Sequence, residues 1–200
     1  MLFRWLWVFP LWGLMAFSVH AEAPVAEEAT KQAIFAGGCF WCTEAAFDAV
    51  EGVTETTSGY TGGHVENPSY EAVGTGRTGH AEALRVTYDP TKVSYDQLLE
   101  VFWRSIDPTD KGGQFYDRGP QYRTAIFVQD AEERAAAEAS KVVAEERLGV
   151  KIVTTIEPAG PFYPAEAHHQ NYHQKHPLRF KAYHDASKRE DTLRKIWQSE

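Results

Sequence analysis

The sequence predicts an α+β fold with helices packed on a mixed or antiparallel sheet. Three observations predict it. The periodic segments run β-α-β-β-α-β-α-β, which is not the strict strand–helix alternation of a doubly wound parallel sheet. The chain has 200 residues, 43% hydrophobic and 24% charged, ordinary for one domain with a real core. Two long polar loops, 61–79 and 107–122, interrupt the periodic segments. Aromatic content in the first argues against disorder, and a loop of that length is then a functional one. The net charge is −8 with no basic stretch, which excludes a nucleic-acid partner. Two cysteines are too few for a disulfide scaffold.

The elements follow in order. Residues 1–21 read as a secretory signal: Arg4 gives a positive start, 5–19 is an apolar run short for a membrane span, and Val19 and Ala21 are small residues at a cleavage site. The competing reading is an uncleaved anchor. Both methionines, Met1 and Met15, lie in this segment. Residues 22–31 are an Ala/Glu/Pro-rich flexible lead-in. The domain is expected over 32–177, with 178–200 as a helical extension.

Residues 32–36 read as a strand and 44–50 as a helix, with Ala45, Ala46, Phe47 and Ala49 available to a core. Between them lies GGCFWCTE, which holds both cysteines, Cys39 and Cys42. Gly37 and Gly38 permit a tight turn. A thiol at a helix N-terminus faces unpaired N–H groups and the positive dipole end, and both favour the reactive thiolate. The alternative is a pair of buried, inert cysteines.

Gly52 is a stop signal, and the Thr-rich run 53–60 is a strand. Residues 80–88 form the next strand, with a mixed pattern of Ala81, Ala83, Val86 and Tyr88, and Asp89-Pro90 ends it. Residues 94–105 form a helix capped by Ser94, burying Leu98, Leu99, Phe102 and Trp103. A strand over 123–129 precedes a strong helix over 131–148 that Gly149 closes. Residues 152–157 are strand-like, 158–164 a turn-rich loop, and 165–174 a short His-rich helix. The tail from 178 reads as one Arg/Lys-rich helix with Leu193, Ile196 and Trp197 on one face.

Four stretches carry a family resemblance: GGCFWCTE, GYTGGHVENPSYEAVGTGRTGHAE, QYRTAIF and FYPAEAHHQNYH. Together they resemble peptide methionine sulfoxide reductase A from about 32 to 177. The resemblance implies a two-layer α+β sandwich with a ferredoxin-like core. It implies reduction of the S epimer of methionine sulfoxide, free and in proteins, without a cofactor. By the same resemblance Cys39 is the nucleophile left as a sulfenic acid, and Glu82 is the acid. Tyr70 and Tyr122 bind the sulfoxide oxygen, Asp117 lies near that pair, and Phe40 and Trp41 form the methyl pocket. Read without the resemblance, Glu82 is a solvated strand residue, Phe40 and Trp41 are core, and the tyrosines and Asp117 are loop residues.

The chemistry suits these types. A sulfoxide needs a nucleophile at sulfur, an acid at oxygen and a pocket for the methyl group. A carboxyl donates near neutral pH only if burial raises its pKa. The chain also departs from the family: Cys42 stands where Gly is frequent, Ile106 where His is frequent, and the tail lacks the resolving cysteines many members carry. Cys42 is then the internal candidate to resolve the sulfenic acid. Residues three apart on a regular helix have Cβ atoms about 5–6 Å apart, against about 3.5–4.5 Å for a disulfide. The bond therefore requires Cys39 at or before the N-cap. The alternative is that an external thiol reduces the sulfenic acid directly.

The implied reductant is a thioredoxin-fold protein, and the expected location is the periplasm, with no stable membrane association after cleavage. Two other classes compete. A thioredoxin-like CxxC oxidoreductase would need its own βαβ pattern, in which GHAE and QYRTAIF have no place. A zinc-stabilised binding module would use Cys39 and Cys42 with two of His168, His169, His173 and His176.

Overall fold

A computed structural model describes residues 30–197, so the expected signal segment, most of the lead-in and the last three residues lie outside the described residues. The sheet has six strands in the order β7-β6-β1-β3-β2-β8. Its centre is β1 (Lys31–Gly37), β2 (Val53–Thr61), β3 (Ala81–Tyr88) and β6 (Thr124–Val128), all antiparallel to their neighbours within that group. With α1 (Phe40–Asp48) between β1 and β2, and α3 (Tyr95–Arg104) between β3 and β6, this is the ferredoxin-like β-α-β-β-α-β core that the resemblance implies. The helix α4 (Ala131–Leu148) then crosses back to place β7 (Thr155–Pro158) parallel to β6. At the other edge β8 (Tyr163–Pro164) pairs with β2.

Both faces of the central strands are buried, which explains the mixed pattern of β3. Residues of one parity, Ala81 and Ala83 with Ile34, Ala36, Ala125 and Phe127, face a thin core closed by Phe162 and Ala159. The other parity, Leu84 and Val86 with Ala33, Phe35, Ile126 and Val128, meets Phe47 of α1, Leu98, Leu99 and Phe102 of α3, and Ala137 of α4. Glu82 has this second parity, so the pleat points it to the helix side, beneath the start of α1.

The caps hold as the sequence implies. Ser94 caps α3 in a reciprocal box with Gln97, and Gly149 closes α4 at φ 65°. Other expectations need correction. The loop 61–79 contains a short helix, α2 (Tyr70–Gly74), capped by Ser69. The loop 107–122 contains a hairpin of β4 (Gly113–Gln114) and β5 (Asp117–Arg118), followed by a 3-10 turn, Pro120–Tyr122. The helix α1 begins at Phe40, not 44, and its buried side is Phe40, Cys42, Thr43, Glu44 and Phe47, while Ala49 is exposed. Glu44 can be buried because it receives the Tyr172 amide at 3.3 Å and faces His173. The expected helix 165–174 is mostly turns, and only α5 (Tyr172–Lys175) is helical.

The tail is not one helix. It is α6 (Pro177–Ala186) and α7 (Arg189–Trp197), broken where Lys188 takes φ 53°. The break turns α7 back onto the body, so that Trp197 joins the main core with Leu193 and Ile196 beside it.

Candidate active site

The turn from β1 into α1 builds the site. Gly38 sits at φ 84°, in the left-handed region, and a Cβ there would lie 2.5 Å from Cβ of the buried Gln114. Gln114 exchanges hydrogen bonds with the Asp107 backbone, accepting from its N–H and donating to its carbonyl. The close approach at Gly38 thereby seats the β4–β5 hairpin against the start of α1. Cys39 follows as the N-cap at φ −53°, ψ 119°, outside helical geometry, and its carbonyl accepts from the amides of Cys42 and Thr43. Cys42 lies one turn later, inside the helix. The geometric condition for a Cys39–Cys42 disulfide, a first cysteine that has left helical angles, is met. Both cysteines are buried free thiols here.

A small cavity of about 110 Å³ opens at Cys39. Its walls are Cys39, Phe40 and Trp41 from α1, Glu82 from β3, Tyr70 from α2, Tyr122 from the 3-10 turn, and Asp117 from the hairpin. It holds a few heavy atoms, given on the order of 30 Å³ per water. Seven of the eight residues expected from sequence thus converge on one cavity. The eighth, Cys42, does not line it. A residue that the sequence does not mark does: Tyr183 of α6, whose hydroxyl donates to Asp117 and whose ring meets Trp41 edge-on. Nothing in the sequence marks this tyrosine among the nine in the chain.

Glu82 is 3% exposed, and its Oε2 accepts the Phe40 amide at 3.0 Å. Burial pushes its pKa up to about 8 against the pull of that bond, with Asp117 and Cys42 adding to the rise. It is a protonated acid at neutral pH. Burial, then the nearby Glu82 and Cys39, raise the Tyr70 hydroxyl to about 12, so it stays a donor. Glu166, on the turn after β8, accepts the Tyr70 amide and the Tyr60 hydroxyl at 2.9 Å each, which fixes α2 over the cavity. Trp41 stacks on Tyr172 at 3.7 Å and donates to His169 at 3.2 Å. Phe40 has both roles weighed for it: it packs with Tyr60, Val73 and Ala165 and also walls the cavity.

One expectation is overturned. The helix N-terminus does not hold Cys39 as a thiolate. Burial first, then hydrogen bonding to Cys42 and the charges of Cys42, Glu82 and Asp117, push the Cys39 thiol well above its ordinary value. The histidines do not converge on the cysteines either: His169 accepts from Trp41, and His173 faces Glu44 and Asp48.

A buried cysteine at a helix start, an adjacent protonated carboxyl and hydroxyl donors around a small apolar-walled cavity define a thiol-dependent oxidoreductase on a ferredoxin-like core. The chain belongs to the peptide methionine sulfoxide reductase family, whose sequence model, described as "Peptide methionine sulfoxide reductase", matches residues 31–200. It is 52% identical to peptide methionine sulfoxide reductase MsrA of Limosilactobacillus reuteri over 170 residues, 84% of this chain and 97% of that one. Among solved structures it is similar to reduced Mxr1 of Saccharomyces cerevisiae, with TM-score 0.71 and 33% identity over 74% of this chain and 87% of that one. It is also similar to Mxr1 in complex with Trx2, with TM-score 0.52 and 25% identity over 72% and 84%. The family match includes the tail, in keeping with Tyr183 lying in the site.

Proposed function

We propose that this oxidoreductase reduces the S epimer of methionine sulfoxide, free and in proteins, through a Cys39 sulfenic acid and a Cys39–Cys42 disulfide reopened by a thioredoxin-fold donor. The observation that carries the reading is the Glu82 carboxyl, buried, raised to about 8 and bonded to the Phe40 amide next to Cys39. Phe40 and Trp41 offer the sulfoxide methyl an apolar wall, and Tyr70 and Tyr122 offer its oxygen two hydroxyls. Asp117 orients Tyr183 at the rim. Cys39 sulfur attacks the sulfoxide sulfur as Glu82 protonates the oxygen, and the proton of the thiol returns to Glu82. The net exchange turns Cys39–SH and the sulfoxide into Cys39–SOH and the thioether. The neutral thiol of the resting site is consistent with this proton exchange.

Cys42 then displaces the sulfenic oxygen, and an external dithiol returns two electrons and two protons. The Trx2 complex of the relative supports a thioredoxin-fold donor. The reading includes export: residues 1–21 are removed after Ala21, and the enzyme works in the periplasm without stable membrane association. No described helix is long and apolar enough to cross a membrane. A protein whose N-terminal sequence begins at Met1 in the membrane fraction would overturn export.

The test of the activity is turnover of the separate S and R epimers with dithiothreitol. S is expected to be consumed and R not, and equal turnover would sink the stereochemical reading. After one equivalent of S-methionine sulfoxide, no titratable thiol is expected. One remaining thiol beside a trappable sulfenic acid would remove Cys42 from the cycle.

A further inference from the structure

We propose that Arg189 is a positioning residue for the resolving step, its guanidinium setting Cys42 as the thiolate that attacks oxidised Cys39. This rests on the reading of Cys42 as the resolving cysteine.

The two sulfurs look into different spaces. Cys39 opens on the small cavity, whereas Cys42 lines a second one of about 620 Å³ between α1, α3, α6 and α7. Arg189, the first residue of α7, lines this second cavity and is 4% exposed. Two contacts hold it. Its Nη1 donates to the Ser105 carbonyl at 2.6 Å. Its guanidinium lies 4.2 Å from the Phe115 ring centroid, at the tip of the β4–β5 hairpin. Its Nη2 lies 3.7 Å from where a Cβ on Gly38 would be. Its buried Nε has no partner, and no carboxylate forms a salt bridge with it among the described residues.

A buried cation without an anion is costly, so the nearby acidic groups matter. The Asp117 carboxylate accepts from Tyr183. Glu82 is the protonated acid of the site. On α3, Glu100 pairs with Arg104 at 2.8 Å. On α6, His184 faces Glu190 of α7 at 3.6 Å. Arg194, also on α7, adds positive charge to the same cavity. Two acidic groups answer Arg189: its charge pulls down both the Asp117 carboxyl and the Cys42 thiol. A hydrogen bond from Cys39, then the Arg189 charge, hold the Cys42 thiol below its ordinary value against burial. The two thiols are thus pushed in opposite directions, Cys39 up and Cys42 down.

That division suits resolution. The Cys42 thiolate attacks the sulfur of Cys39–SOH, the S–S bond forms and the S–O bond breaks. The departing hydroxide takes the Glu82 proton and leaves as water. Two electrons and two protons from the external dithiol then restore Cys39–SH, the Cys42 thiolate and protonated Glu82.

The test is alkylation of the reduced enzyme by iodoacetamide across pH, with each cysteine followed by peptide mass. It compares wild type with Arg189→Met, Arg189→Gln and Arg189→Lys. The two neutral variants are expected to raise the pH midpoint of Cys42 alkylation by about one unit or more, and Lys to restore part of it. In single-turnover mixing at pH 7, the burst of methionine is expected to be unchanged in the neutral variants, while disulfide formation slows about tenfold. Gln keeps a donor for the Ser105 carbonyl, so it carries the test if Met does not fold. Unchanged Cys42 midpoints in a folded neutral variant would overturn the proposal, as would a Lys midpoint no lower than that of Gln. Absence of the Cys39–Cys42 disulfide in wild type would instead sink the reading it rests on, and the alkylation midpoints tell the two failures apart.

Discussion

At the scale of single residues, the site depends on a carboxyl kept protonated by burial. Glu82→Gln keeps an acceptor for the Phe40 amide but has no acidic proton. Methionine formation in a single turnover is expected to fall by about 10²–10⁴-fold, with much less effect on binding. In wild type the same step is expected to decline as pH rises through about 8, where Glu82 ionises. An unchanged burst in Glu82→Gln would place the acid elsewhere. Stability carries the same sign. Above the ordinary carboxyl pKa of 4.5 the unfolded chain loses this proton while the folded chain keeps it. The resulting cost grows with pH up to about 8 and is constant above that. Glu82→Gln does not titrate, so it is expected to gain on wild type by a few kcal/mol, to order of magnitude, between pH 5 and 8. Urea midpoints at the two pH values check this, and a constant difference would show that Glu82 is ionised in the folded state.

At the scale of elements, the β1–α1 turn and the β4–β5 hairpin act as one unit because Gly38 lets them touch. Gly38→Ala places a Cβ in the left-handed region and against Gln114. We expect a loss of at least about 1–2 kcal/mol, read from the denaturant midpoint. A fall in kcat/KM should accompany it as Asp117 and Phe115 shift. A variant with wild-type midpoint and kinetics would mean that the hairpin holds its place without this contact. The two short elements inside the long loops follow the same logic. Neither α2 nor the hairpin is long enough to be stable alone. Glu166 fixes α2 through Tyr70, and Gln114 fixes the hairpin through Asp107.

At the scale of the whole molecule, the tail is part of the domain. The αL break at Lys188 returns α7 to the body, where Trp197 enters the main core, donates toward the Ile106 carbonyl and stacks under Arg104. Trp197→Ala is expected to cost about 3 kcal/mol, read from thermal or urea unfolding. The loss should also loosen α7, and with it the seat of Arg189. Unfolding indistinguishable from wild type would leave the tail an appendage, as the sequence suggests.

The sequence alone determines the α+β order of strands and helices and the capped helices, because hydrophobic period and cap chemistry are local; the ferredoxin-like core comes through the resemblance. It also points to the cysteine-bearing turn, since two glycines before a cysteine at a strand–helix junction are a local signal. Through resemblance it names seven residues that share one cavity. What it misses depends on contacts between distant segments. The burial of Glu82 follows from α1 lying over β3, and the raised Cys39 thiol follows from its own burial and from Cys42, Glu82 and Asp117 around it. A helix N-terminus read by itself gives the opposite ionisation, because a local dipole argument leaves out desolvation. Arg189 reaches the second cavity because one residue at φ 53° folds α7 back, and Tyr183 reaches the first from α6, ahead of that break. No period or motif encodes that bend, and the packing of Trp197 in the core holds it in place.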